Sequence, residues 1–170
     1  MKLLVFNFTP LIYLSKAGLT GIIESLQEEK MTSPLVKAEV VDKGKQKGVP
    51  DAIALEKLFE NGVFKLCSPK DKLFLSRLSK TCGLHTADAE VLALAMEHAG
   101  LAVIDDEVAR KTAKVYKISY GGTPYILARA VSEGFLSKEQ AKDAVKDMVF
   151  SGWRCNVETY AKIMELIDKM

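Results

Sequence analysis

The sequence predicts an α/β protein built on a buried parallel sheet, and three observations carry that prediction. Residues 101–104, Leu-Ala-Val-Ile, are too short for a helix and apolar throughout, as a central strand covered on both faces must be. Segments with helical spacing of apolar residues alternate with such strands, opening on Ser, Thr or Asp and closing on Gly. Finally, 170 residues with 48% apolar content can bury a core as one domain, residues 1–170, without disulfide or metal staples.

The central stretch runs from Leu84 to Arg110. Thr86 is placed to cap a helix over residues 87–99, which holds good helix formers and no proline. At about 100° per residue, Asp88 falls within the arc of Val91, Leu92, Ala95 and Ala99, whereas Glu90 points away with Glu97. Asp88 is therefore expected on the buried face. As a first-turn acid it would also complement the helix dipole, but that role does not require the apolar face. Gly100 is expected to close the helix, and the strand that follows ends at Asp105-Asp106. Ligand sites in open α/β sheets lie beyond the carboxyl ends of strands. Successive strand residues face opposite ways, so one acid is expected at the site and the other as cap of the next helix, 107–117; both could equally be caps.

Around this centre, residues 2–6 read as a buried strand ending at Asn7, with Thr9 as N-cap and Pro10 at the first position of a helix reaching Gly18. A short strand around Met31-Thr32 leads to a second start signal, Ser33-Pro34. The helix to about Asp42 places Leu35, Val36 and Val40 inward with Glu39 between them, and a buried unpaired carboxylate must protonate or find a cation. Residues 43–48, with Lys43, Lys45 and Lys47, read as a basic glycine-containing loop, either a solvated turn or a contact for phosphates. A helix is expected over 50–61 and a strand over 63–66. A helix over 71–80 should carry Leu73, Phe74 and Leu78 inward. Beyond the centre come a strand over 115–119 and a helix opened by Gly121-Gly122-Thr123-Pro124, which is not a phosphate loop because GxxxxGK[ST] is absent. A Ser137–Gln140 capping box follows, then a last amphipathic helix whose stripe of Tyr160, Ile163, Met164 and Ile167 suits core or dimer packing. His98 is expected to pack at the edge of the central helix, and His85 to make local hydrogen bonds beside Thr86.

A net charge of +2 is too small to drive nucleic-acid binding, so such contacts must come from local patches. Cys67, Cys82 and Cys155 are odd in number, far apart and without a CxxC pair, which fits reduced thiols and argues against structural zinc. The first nineteen residues lack the pattern of a signal peptide, and no run approaches the roughly 18 apolar residues of a membrane span. A soluble, cytoplasmic protein is expected.

Acids from separate parts of the chain, Glu39, Asp88 and Asp105 or Asp106, together with Asn7, can converge at the open edge of a parallel sheet. Hard oxygen ligands so arranged suit Mg²⁺ or Mn²⁺, with nearby lysines to hold a polyanion. The chemistry expected of them is metal-assisted phosphodiester hydrolysis.

In order, the chain shows VFNFTPLIYLSKAGL, SPLVKAEVV, ADAEVLALA, VIDDEVARKTA and GGTPYILARAVSEG. Together these resemble PIN-domain proteins, in particular their prokaryotic VapC-related branch, over about residues 1–165. The resemblance implies a three-layer α/β/α sandwich and a Mg²⁺- or Mn²⁺-dependent ribonuclease, often a homodimer and the toxin of a toxin–antitoxin pair. It implies Asn7, Glu39, Asp88 and Asp106 as metal-holding and catalytic positions, with Asp105 beside them. Thr9, Arg110, Lys45 and Lys47 would position RNA. One position departs: the family's first Asp is Asn7, whose carbonyl can ligate but which removes a negative charge and cannot serve as a base. Weaker metal binding is expected. The alternatives are a catalytically silent PIN domain that binds RNA or protein, and a generic α/β protein whose acids are caps and surface charges.

Overall fold

The computed structural model describes residues 3–170, so Lys2 of the first expected strand lies outside the described residues. Five three-residue strands form one sheet: β1 (Leu4–Phe6), β2 (Lys30–Thr32), β3 (Phe64–Leu66), β4 (Leu101–Val103) and β5 (Ser119–Gly121). Their order is β3-β2-β1-β4-β5 and every pairing is parallel. From β1 the chain first builds outward to β2 and β3, then returns to the other side of β1 for β4 and β5. The reversal of direction falls between β1 and β4, whose register pairs Phe6 with Val103.

The connections explain the layers. Strands in one parallel sheet are joined by right-handed crossovers, so reversing direction sends the connecting helices to the opposite face. On one face lie α1 (Phe8–Lys16), α2 (Thr20–Ser25) and α5 (Asp51–Glu60), joined by α9 (Thr123–Ser132), α10 (Lys138–Phe150) and α11 (Val157–Asp168), which pack among themselves and on α1. On the other lie α6 (Lys72–Ser79), α7 (Thr86–Glu97) and α8 (Glu107–Val115), with α7 against β1 and β4. The result is the three-layer α/β/α sandwich expected.

The helix starts differ from expectation where two capping residues compete. The first helix begins at Phe8, and Asn7, not Thr9, is its cap: Asn7 Oδ1 accepts the Phe8 N–H at 2.8 Å. Thr86 is the first residue of α7 and His85 the residue before it, with no side-chain cap. Ser33 caps α3 (Pro34–Lys37) through the Val36 N–H at 3.2 Å, as read. The chain then continues as a π-helical turn, Ala38–Asp42, and α4 (Lys43–Gln46), so most of the expected basic loop is helical.

Helix α7 is buried nearly all round from Ala87 to Ala95, with Glu90 alone half-buried, because it packs on the sheet and is flanked by α6 and α8. Fully burying Val91, Leu92 and Leu94 is worth about 1.5–3 kcal/mol each, ample to offset one polar group in the same helix. Two positions of its expected arc are exposed. Ala99 adopts φ 48° and turns the chain out of the helix, leaving His98 in solvent. Gly100 is needed for room instead: a Cβ there would sit 3.0 Å from the Leu3 carbonyl oxygen. Similarly Leu73 is 78% exposed, while Leu78 alone of the α6 trio is fully buried.

Candidate active site

The reversal point between β1 and β4 is where an open α/β sheet leaves a crevice, since adjacent connections there depart to opposite faces. Asn7 leaves β1 at that point and its N–H still donates to the Val103 carbonyl, at 3.0 Å. Asp105 and Asp106 leave β4 beside it. Asp88, in the first turn of α7, is 1% exposed and faces the same crevice, where the Asn7 side-chain amide donates to Asp88 Oδ1.

The Asp88 carboxyl is held well above its ordinary range. Burial raises it to about 6, with the nearby Asp106 charge adding to the rise, while His85 and the Asn7 hydrogen bond oppose it. Its second oxygen, Oδ2, is buried and has no hydrogen-bond partner. An acceptor left bare in the interior costs about 1–3 kcal/mol. A cation between Asp88 and Asp106 would satisfy that oxygen and relieve the like-charge repulsion. The donor set fits a hard ion that takes one or two carboxylates and keeps the rest of its shell for water or phosphate.

The adjacent acids do different work. Asp106 Oδ1 accepts the Ala109 N–H at 2.9 Å and caps α8. Asp105 turns to the other side and is fully engaged: Oδ1 accepts the Thr123 N–H at 2.7 Å, and Oδ2 accepts the Thr123 hydroxyl at 2.6 Å and the Trp153 indole N–H at 3.1 Å. Burial pushes its carboxyl up, against those hydrogen bonds. Gly122 makes this possible, because a Cβ there would fall 2.6 Å from Asp105 Oδ1. The sequence motif Gly121-Gly122-Thr123-Pro124 is thus a cradle for a carboxylate of the protein itself. The sequence placed Thr123 only in a helix start and gave Trp153 no role; that Trp153 is the single tryptophan was the available signal.

Glu39 stands apart from this group. It lies on the π-helical turn, about a third exposed, with Oε2 2.5 Å from Lys43 Nζ, and it lines a separate hollow between α1, the π turn and α5. Among the described residues, no three His, Cys, Asp or Glu side chains come close enough together to hold a metal ion. The inward carboxylate expected at position 39 has found an ammonium one helical turn on. Thr9 lies in the first turn of α1, half-buried. Arg110 is exposed on α8 with its guanidinium 5.6 Å from the Tyr120 ring, and its charge reaches Asp105. Lys45 is bound to Glu56 at 2.9 Å, and Lys47 lines the same hollow as Glu39.

Among the described residues no helix is long and apolar enough to cross a membrane. No curated protein matches the chain. A family model described as a PIN domain matches residues 3–169. With a five-stranded parallel sheet and acids at its reversal point, this chain belongs to the PIN-domain family, whose fold is of the nuclease type.

Proposed function

We propose that the protein is a divalent-metal-dependent ribonuclease of reduced strength, with Asp88 and Asp106 as its metal-holding pair. The observation that carries this reading is the buried, unpartnered Oδ2 of Asp88 close to a second carboxylate at the sheet's reversal point. When bound, Mg²⁺ or Mn²⁺ would lower the pKa of a water and offset charge on the attacked phosphate. Asn7 fixes the Asp88 carboxylate through its amide and, being neutral, adds no charge to the site. Asp105 holds the Asp106-bearing loop in place through Thr123 and Trp153. Arg110 offers a cation at the edge for the RNA backbone. In keeping with the resemblance, the protein is proposed to act in the cytoplasm as a homodimer and as a toxin restrained by a small antitoxin.

The test is a Mn²⁺ titration of the full chain followed by cleavage of mixed-sequence single-stranded RNA, with Asp88→Asn as the control. Metal-dependent cleavage that disappears in a folded Asp88→Asn variant supports the reading; an absence of both Mn²⁺ binding and cleavage overturns it. A second reading, a silent domain that binds RNA or protein, is favoured by the Asn7–Asp88 hydrogen bond, since the amide already satisfies one oxygen of the carboxylate that a cation would need. It predicts RNA or protein binding with no cleavage at any Mn²⁺ concentration.

A further inference from the structure

The hollow that Glu39 lines has a composition that the metal pair does not account for. Its floor is aliphatic, formed by Ile12 of α1, Val40 of the π turn and Leu55 of α5, and its rim carries Lys16, Lys43 and Lys47. The volume is about 200 Å³, room for one ring system and not for an acyl chain. It owes its shape to close packing: a Cβ on Gly44 would fall 2.7 Å from Ala52 Cβ, so only glycine lets α4 lie this near α5. π turns within helices concentrate at functional sites.

The charges are unequally used. Lys43 is neutralised by Glu39, at 2.5 Å, and the intervening Lys45 by Glu56, at 2.9 Å. Among the described residues Lys16 and Lys47 form no ion pair, and both stand exposed at the mouth. Asp51 is the other acid on the lining. Two unpaired ammonium groups over an apolar floor suit a ligand with a flat body and an anionic phosphate group.

We propose that this hollow is a nucleotide subsite, which takes one unstacked base of single-stranded RNA on the aliphatic floor and its phosphate between Lys16 and Lys47. Single strands are the form whose bases can be splayed into such a recess, and an aliphatic floor contacts any base face without reading its edge. The subsite deepens the ribonuclease reading and rests on it only for the origin of the nucleotide.

The test follows binding to the full chain in EDTA by calorimetry and by amide shifts at Gly44 and Val49. UMP and AMP should each bind at least about tenfold tighter than inorganic phosphate or the uncharged nucleoside. A Lys16→Glu/Lys47→Glu variant with an unchanged melt should lose at least about tenfold in nucleotide affinity. A short single-stranded oligonucleotide should bind more tightly than UMP, and duplex RNA should not fill the hollow. Equal affinity for phosphate and nucleotide, indifference to charge reversal, or tighter binding of UMP than of the oligonucleotide would each overturn the proposal. Because metal is absent, a negative result here counts against the hollow alone, whereas a failed Mn²⁺ titration counts against the nuclease reading.

Discussion

The side-chain amide of Asn7 donates to Asp88 Oδ1 across 81 residues of sequence, joining the end of the first strand to the first turn of α7. The same Asn7 caps α1 with its carbonyl oxygen. Both ends of one amide are therefore used, and a carboxylate in its place could keep the cap but not the donation.

Asn7→Asp exchanges that donor for a third negative charge in the crevice. Without metal it should destabilise the protein by about 1–3 kcal/mol, the scale of a buried group left unpaired. With Mn²⁺ the order reverses: affinity and cleavage of single-stranded RNA should both exceed wild type. Melting curves with and without Mn²⁺ read the first effect and calorimetry the second. Unchanged metal affinity would place Asn7 outside the site.

Asp88 sets a pH dependence with a definite sign. Its folded pKa of about 6 lies above the ordinary 3.8, so the native state holds the proton more tightly than the unfolded chain. Apo stability should therefore fall as pH rises from about 4 to about 6 and level off above. Cation binding needs the ionised form, so Mn²⁺ affinity should climb over that interval. Urea melts from pH 4 to 7 should show a shallower fall for Asp88→Asn than for wild type; the difference isolates this group from Asp105, whose carboxyl is also pushed up by burial.

Asp105→Asn places an NH₂ group where the hydroxyl of Thr123 or the indole of Trp153 now donates. Losing such bonds should cost about 1–3 kcal/mol and shift the fluorescence of the single tryptophan to the red as its ring gains water. Retention of the wild-type emission would mean that Trp153 is held by packing alone.

Two small substitutions test the backbone around the sheet edge. Gly122→Ala should destabilise by about 1–3 kcal/mol, because the new methyl group overlaps a carboxylate held from three directions. Ala99→Gly should stabilise by about 1 kcal/mol or more, since φ 48° is costly for a residue with a side chain. Chemical denaturation measures both, and a neutral Gly122→Ala would show that Asp105 can yield.

The strand expected over 115–119 lies instead at Ser119–Gly121, because Val115 still closes α8 and the chain turns after it. The other strands and the alternation of elements were legible because they rest on short-range patterning: residues 4–6 and 101–103 are buried as their composition requires. Asp88 was legible for the same reason. Three kinds of feature were not. Capping competition between Asn7 and Thr9 depends on which residue ends the strand, and that is set by β1 pairing with β4. The wheel for α7 assumed one dry face, whereas a helix packed on the sheet and flanked by α6 and α8 has almost none that is wet. Glu39 was read on a regular helix; the π turn and the Lys43 partner, which decide where its charge goes, leave no mark in apolar periodicity.

The indole of Trp153 belongs to the bend between the last two helices, yet its hydrogen bond ends on the residue next to Asp106. The bend before α11 thereby props up a loop laid down nearly fifty positions earlier. Removing the segment that carries Trp153 would strip more than an outer layer: it would unmoor the acidic rim from behind, so the integrity of that rim depends on a helix–helix bend far from it in sequence.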